Sequence, residues 1–221
     1  MVITYHRPRV PVRPGFFIMM KKVTFLVDGF NLYHAVKDTR KNQYKWLDLD
    51  KLARCFIKRD EEIVDIYYFT ALANWNPDKV RKHKTYISAL GAVNVKTIYG
   101  QFKRRKKVCP ICRRRYLTYE EKQTDVNIAI CLFKFSIENK FDKAFITSGD
   151  SDLIPSIKAV KEAFPGKEIG VIVPIGRSAI DLKNNCDFHM KIKEKHLNSC
   201  IFPERIKLED DSVITCPSTW K

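Results

Sequence analysis

The sequence predicts an α/β fold of three layers around a central, mostly parallel sheet. Two observations carry that expectation. Short apolar runs that read as strands alternate with segments of helical spacing along the whole chain. Two of those strands also run into acids: residues 23–27 end at Asp28, and residues 141–147 lead into Asp150 and Asp152. Side by side in a parallel sheet, their ends would place Asp28, Asp150 and Asp152 in the crevice where open α/β sheets hold ligands.

Residues 23–27 form the first strand, followed by helical pieces at 32–36 and 49–57 around a polar connection. Residues 63–70 form the second strand. Pro77 suits the first turn of a helix running to about Leu90, with Gly91 as its break and 93–99 as the third strand. An insert at 101–118 precedes a helix at 124–138, in which Val126, Ile130, Phe133 and Ile137 recur at helical spacing and define the face expected against the sheet. A fourth strand at 141–147, a helix at 154–163, the Pro165-Gly166 turn and a fifth strand at 168–173 follow. A last helix and strand fall within 179–192. The chain thus divides into an N-terminal extension (1–22), one domain (23–192) and a C-terminal tail (193–221), expected to be a short helix and a mobile end.

A length of 221 residues suffices for one well-buried domain with appendages. Lys and Arg number 41 against 25 acids, a formal charge of +16 that points to a polyanionic partner, nucleic acid first. Hydrophobic residues at 45% and aromatics at 12% exclude a compositionally disordered chain. Seven cysteines, five of them scattered singly, lack the spacing of a secreted disulfide scaffold and fit a reducing cytoplasm. The apolar run at 16–20 is too short for a signal peptide or membrane span, so no membrane partner is expected.

Asp125, at the start of the helix after the insert, is a fourth acid able to point toward Asp28 and Asp150. Such a cluster repels itself unless a cation lies within it, and oxygen-only ligation favours Mg²⁺ or Mn²⁺. One or two such ions suit in-line hydrolysis of a phosphodiester. Asn31, Thr147 and Ser148 are supporting hydrogen-bond donors nearby. Each acid has a plain structural alternative: Asp28-Gly29 as a turn, Asp150 as a helix cap, Asp125 as a first-turn acid. Their convergence is what points to chemistry.

Three ordered motifs, Val27-Asp28-Gly29-Phe30-Asn31-Leu32-Tyr33, Glu121-Lys122-Gln123-Thr124-Asp125-Val126-Asn127 and Thr147-Ser148-Gly149-Asp150-Ser151-Asp152-Leu153, together resemble the NYN domain. That domain is a branch of the PIN-like metal-dependent nucleases that includes LabA-like proteins. Pro174-Ile175-Gly176-Arg177-Ser178, followed by Leu182 and Asp187, is similar to the family's closing segment. Over residues 23–192 the resemblance implies a PIN-like, Rossmannoid sandwich and RNA as the usual substrate. It also implies a Mg²⁺ or Mn²⁺ site built from Asp28, Asp125, Asp150 and Asp152, with Asn31 alongside.

Within the insert, Lys103, Arg104, Arg105, Lys106 and Lys107 on one side and Arg113, Arg114 and Arg115 on the other bracket Cys109 and Cys112, with Phe102, Tyr116 and Tyr119 interleaved. These cations are expected to track a phosphate backbone while the aromatics stack on unpaired bases; a solvated loop is the alternative. Cys109 and Cys112 make half of a zinc knuckle. His83, His189, His196 and Cys200 are not placed by spacing as its other ligands, a homodimer pooling two pairs is one way to complete it, and a reduced structural turn is the alternative. The expectation is a cytoplasmic, divalent-metal-dependent ribonuclease, an endonuclease acting on single-stranded or locally unpaired RNA. A non-catalytic RNA-binding adaptor is the alternative; DNA as substrate and a protein partner that gates activity stay open.

Overall fold

In the computed structural model, which describes residues 20–221, the first strand lies at the centre of a six-stranded sheet. The first 19 residues of the N-terminal extension lie outside the described residues. The strands are, in chain order, β1 (Lys21–Asp28), β2 (Glu61–Thr70), β3 (Val95–Tyr99), an inserted pair β4 (Gln101–Val108) and β5 (Arg115–Lys122), then β6 (Lys143–Thr147), β7 (Glu168–Val173) and β8 (Phe188–Lys191). The sheet order is β3-β2-β1-β6-β7-β8 and every neighbouring pair is parallel. The chain builds outward from β1 in one direction, then crosses to β6 and builds in the other. The switch point therefore lies between β1 and β6, where Val27 is registered with Thr147.

Side chains alternate across the sheet, and each strand feeds two apolar layers. Val23, Phe25 and Val27 of β1 pack with Leu32 and Val36 of α1 (Gly29–Asp38), Leu52 of α2 (Leu49–Arg54) and Leu90 of α3 (Pro77–Ala92). Leu26, with Phe69 of β2 and Ile146 of β6, joins the other layer. There it meets Ile128 and Leu132 of α4 (Thr124–Ile137), Ile157 of α5 (Ile154–Ala163) and Leu182 of α6 (Ile180–Asn185). At the amino end of the sheet Lys143 and Glu61, both buried, pair at 2.8 Å, and the ammonium also lies 4.3 Å from the Phe188 ring centroid. Two charges out of water are tolerable there because each satisfies the other.

Four expectations change. The helix at 77–92 runs through Gly91, and the chain turns at Asn94 instead, with φ of 62°. On α4 the stripe Val126, Ile130, Phe133 and Ile137 faces solvent, with Ile137 63% exposed, while Thr124, Ile128, Leu132 and Phe135 face the sheet. This helix is apolar nearly all round, so periodicity offers two stripes. The chain enters the helix through Gln123, held left-handed at φ 78°.

The insert is an antiparallel hairpin that continues past Thr118 to Lys122, not an open loop. Nor is the tail a mobile end. It forms α7 (Glu194–Ser199) and a second hairpin of β9 (Arg205–Lys207) and β10 (Val213–Thr215). Phe202 and Trp220 flank the buried Trp46 ring at 5.7 and 6.3 Å, and the Trp46 indole N–H donates to the Pro203 carbonyl at 2.9 Å. Among the described residues no helix is long and apolar enough to cross a membrane.

Candidate active site

Asp28 ends β1 and caps α1. It is buried, and each carboxylate oxygen is engaged: Oδ1 accepts the Asn31 backbone N–H at 2.9 Å and Oδ2 accepts the Ser148 hydroxyl at 2.8 Å. The turn reading of Asp28-Gly29 gives way to strand-into-helix. Glycine is required at position 29 because a Cβ would lie 2.5 Å from the Tyr68 ring and 2.6 Å from the Phe69 carbonyl oxygen.

The same network fixes the loop after β6. The Asn31 side-chain oxygen accepts the Gly149 N–H at 3.2 Å, Ser148 Oγ accepts the Asp150 N–H at 3.1 Å, and Asp150 Oδ1 accepts the Asp152 N–H at 3.0 Å. Asp150 therefore does cap the short 3-10 turn Ser151–Leu153, using one oxygen.

Asp125 stands in the first turn of α4, close enough to feel the charges of Asp150 and Asp152. Burial raises its carboxyl to about 6, helped by the charges of Asp150, Glu121 and Asp152. Asp28 is raised to about 6 as well. Burial is the main cause, with the charges of Asp125 and Glu121 adding to it, while the Asn31 and Ser148 hydrogen bonds pull the other way. Asp28, Asp125, Asp150 and Asp152 thus belong to one electrostatic unit.

Glu121 belongs to it too and was not singled out from the sequence, although it opens the motif that contains Asp125. It ends the hairpin, accepting the backbone N–H of Thr124 at 3.2 Å and the Thr124 hydroxyl. Arg177, named from the sequence only within the closing segment, lies beside the loop after β6. Its Cβ lies 3.7 Å from the position a Gly149 Cβ would take, and its guanidinium donates to Asp38 of α1 at 2.7 Å. Thr147 does not join the site. Strand alternation sends Asp28 and Ser148 to the α4 layer and Thr147 to the opposite one, where it faces Phe25, Val27 and Ile172.

Among the described residues no three His, Cys, Asp or Glu side chains already stand together as a formed metal-ligand set. The chemistry of the donors nevertheless fits a hard divalent cation. All are carboxylate oxygens, and two of them are held at elevated pKa partly by mutual repulsion that a cation would relieve.

The hairpin divides its cations between two faces. Lys103, Arg105 and Lys107 share a face with Glu120, which reaches Lys107 at 2.8 Å and Arg105 and Lys122 at 3.7 Å. Arg104 and Lys106 lie on the other face with Phe102 and Tyr119, and Arg113, Arg114 and Arg115 cluster at the tip. Cys109 and Cys112 are also at the tip. Backbone N–H groups of Cys112 and Ile111 point at the Cys109 sulfur and lower its pKa. Among the described residues no further ligand completes a zinc site there: His83 lies on α3, His189 on β8, His196 on α7, and the Cys200 sulfur sits 3.6 Å from that of Cys55.

An open parallel sheet with a hydrogen-bonded carboxylate group at its switch point defines an α/β domain of the Rossmann-like class. Residues 22–193 match the NYN domain, and the chain belongs to that family, whose members are generally nucleases that use divalent metals. The chain is similar to 6-hydroxy-3-succinoylpyridine 3-monooxygenase HspA of Pseudomonas putida, 27% identical over 208 residues, covering 78% of this chain and 66% of that protein. It thus spans just under two thirds of that relative's length. The fold is shared with the crystal structure of a protein of unknown function from Vibrio parahaemolyticus, at a TM-score of 0.57 and 17% identity, over 80% of this chain and 95% of that one.

Proposed function

We propose that this chain is a divalent-metal-dependent ribonuclease that hydrolyses phosphodiester bonds of single-stranded or locally unpaired RNA. The observation that carries this reading is the meeting of Asp28 and the Ser148–Asp152 loop at the switch point, with Asp125 charge-coupled to both. Asp28, Asp125, Asp150 and Asp152 would hold Mg²⁺ or Mn²⁺, which when bound supplies an activated water and neutralises charge on phosphate oxygens. Asp125, less buried than Asp28, accepts a hydrogen bond from the attacking water and orients it. Ser148 and Asn31 position Asp28 and the loop rather than touching the substrate. Arg177, anchored on Asp38, presents its cation at the rim to a phosphate oxygen. The cations of the hairpin hold the strand.

The test is cleavage of an end-labelled, partly single-stranded RNA by the full chain with Mg²⁺, Mn²⁺ or EDTA. Asp150→Asn should lose cutting by about 100-fold or more while RNA binding stays near wild type. A variant that cuts at the wild-type rate would place the chemistry elsewhere.

A second reading follows from the Pseudomonas putida relative, named as a monooxygenase of a succinoylpyridine. The observation favouring it is an aromatic cleft beside Gly29, large enough for such a ring. Oxygen uptake with 6-hydroxy-3-succinoylpyridine, reductant and full-length protein would support it; no uptake removes it.

A further inference from the structure

Beside the carboxylates a cleft of about 660 Å³ opens between α1, the following 3-10 turn Asn42–Trp46, α3 and the base of the hairpin. Ligand pockets typically measure roughly 300–1,000 Å³, so it has room for a nucleotide. Its lining has three parts. A run of rings forms one wall: Trp75 stacks on Tyr119 at 3.7 Å and 6°, Phe102 meets Trp75 edge-on at 4.8 Å, and Phe30 meets Phe102 at 6.3 Å. Phe30 and Trp75 remain 42% and 39% exposed, an unusual outlay of aromatic surface for a face without a ligand.

The rim carries Lys37, Lys45, Lys79 and Lys82, none of which forms an ion pair among the described residues. The floor is polar, with His83 Nε2 3.2 Å from the Thr70 hydroxyl and 3.5 Å from that of Tyr68. Stacking surface, rim cations without a carboxylate partner (Lys45 donates to the Asn42 side-chain oxygen at 2.7 Å) and hydrogen-bonding floor together match a heteroaromatic ring that bears an anion. The position narrows the occupant further. Gly29 lines the cleft and directly follows Asp28, so the cleft opens at the same carboxyl edge of the sheet as the carboxylates, on its α1 and α3 face.

We propose that this cleft is a base pocket: it takes one unstacked nucleobase of the RNA next to the phosphate presented to the carboxylates, with the rim lysines on the adjoining phosphate. The proposal rests on the ribonuclease reading and adds how that site chooses unpaired RNA. A paired base must first give up its pairing and stacking to enter, whereas an unpaired one enters at smaller cost.

The test is an abasic scan in EDTA, where nothing is cut. Fluorescently labelled single-stranded RNAs of about ten nucleotides, each with one base removed, are bound to the full chain and followed by anisotropy. Stacking of one base contributes roughly 1–3 kcal/mol. One position should therefore weaken binding about 5- to 150-fold in the wild type and hardly at all in Trp75→Ala, with Tyr33→Ala as a second cleft variant and circular dichroism as the folding check. A flat scan, or a penalty that persists unchanged in both variants, would overturn the pocket.

Competition separates the sources of the ring. Displacement of the RNA by mononucleotides supports the proposal; displacement by a pyridine carboxylate but by no mononucleotide overturns it in favour of a small heteroaromatic acid. Failure of the ribonuclease reading shows elsewhere, in the absence of metal-dependent cutting by the wild type, and failure of the carboxylate site in cutting that survives Asp150→Asn.

Discussion

Asp28 illustrates how one residue serves both fold and site. Its side chain caps α1 and holds Ser148, and it is kept ionised at neutral pH only against burial and the charges of Asp125 and Glu121. Its carboxyl titrates near 6 in the folded, metal-free chain and near 3.8 when exposed. Between those values the folded chain holds a proton that the unfolded chain has released, so stability falls as pH rises from about 4 to 6 and then levels off. By linkage the cost at pH 7 is about 3 kcal/mol. Asp28→Asn, which keeps the shape of the cap, should lessen that decline in urea unfolding performed in EDTA at pH 4.5 and pH 7, leaving the share of Asp125, whose carboxyl is raised to about 6 as well. Equal pH dependence in the two proteins would mean Asp28 is not strained. At this scale the acids were legible because carboxylates at strand ends have a limited set of uses. Thr147 was misplaced because the two-residue alternation, which assigns it to the other face, was not applied through the strand end. Glu121 was missed because an acid at the end of a basic hairpin reads as charge balance.

Among the elements, α5 and β7 were delimited in the sequence at the same residues the structure shows, since Pro165-Gly166 punctuates them and each is amphipathic or wholly buried. The hairpin was not legible as strands. Five successive cations read as a solvated loop, and only pairing with 115–122 makes Gln101–Val108 extended. That pairing sorts the cations into two sets with different neighbours. Arg104 and Lys106 share the face of Phe102 and Tyr119, next to the aromatic cleft, whereas Lys103, Arg105 and Lys107 share theirs with Glu120. Replacing Arg104 and Lys106 by Gln should weaken RNA binding and reduce the slope of log affinity against log salt by about one per lost phosphate contact. The Lys103 and Arg105 pair of substitutions should do less. Equal effects would return the hairpin to an undifferentiated basic arm.

For the molecule as a whole, strand–helix alternation sufficed to predict the layered parallel sheet, because each element buries against that sheet. It did not predict the closing of the structure by its last 29 residues, 193–221, where weak periodicity conceals single large anchors. Phe202 is one, buried against Trp46. Phe202→Ala should cost about 3–5 kcal/mol in denaturant unfolding, as for a core position, against under about 0.5 kcal/mol for a mobile end. The central claim, that the switch-point carboxylates hold the cation used to cut RNA, is tested most directly by single-turnover cleavage as a function of Mn²⁺ concentration, with wild type and Asp28→Asn side by side. The account predicts a saturable metal dependence in the wild type. In the variant the maximal rate should fall on the order of 100-fold and the curve should shift to higher metal. Superimposable curves for the two proteins would contradict it.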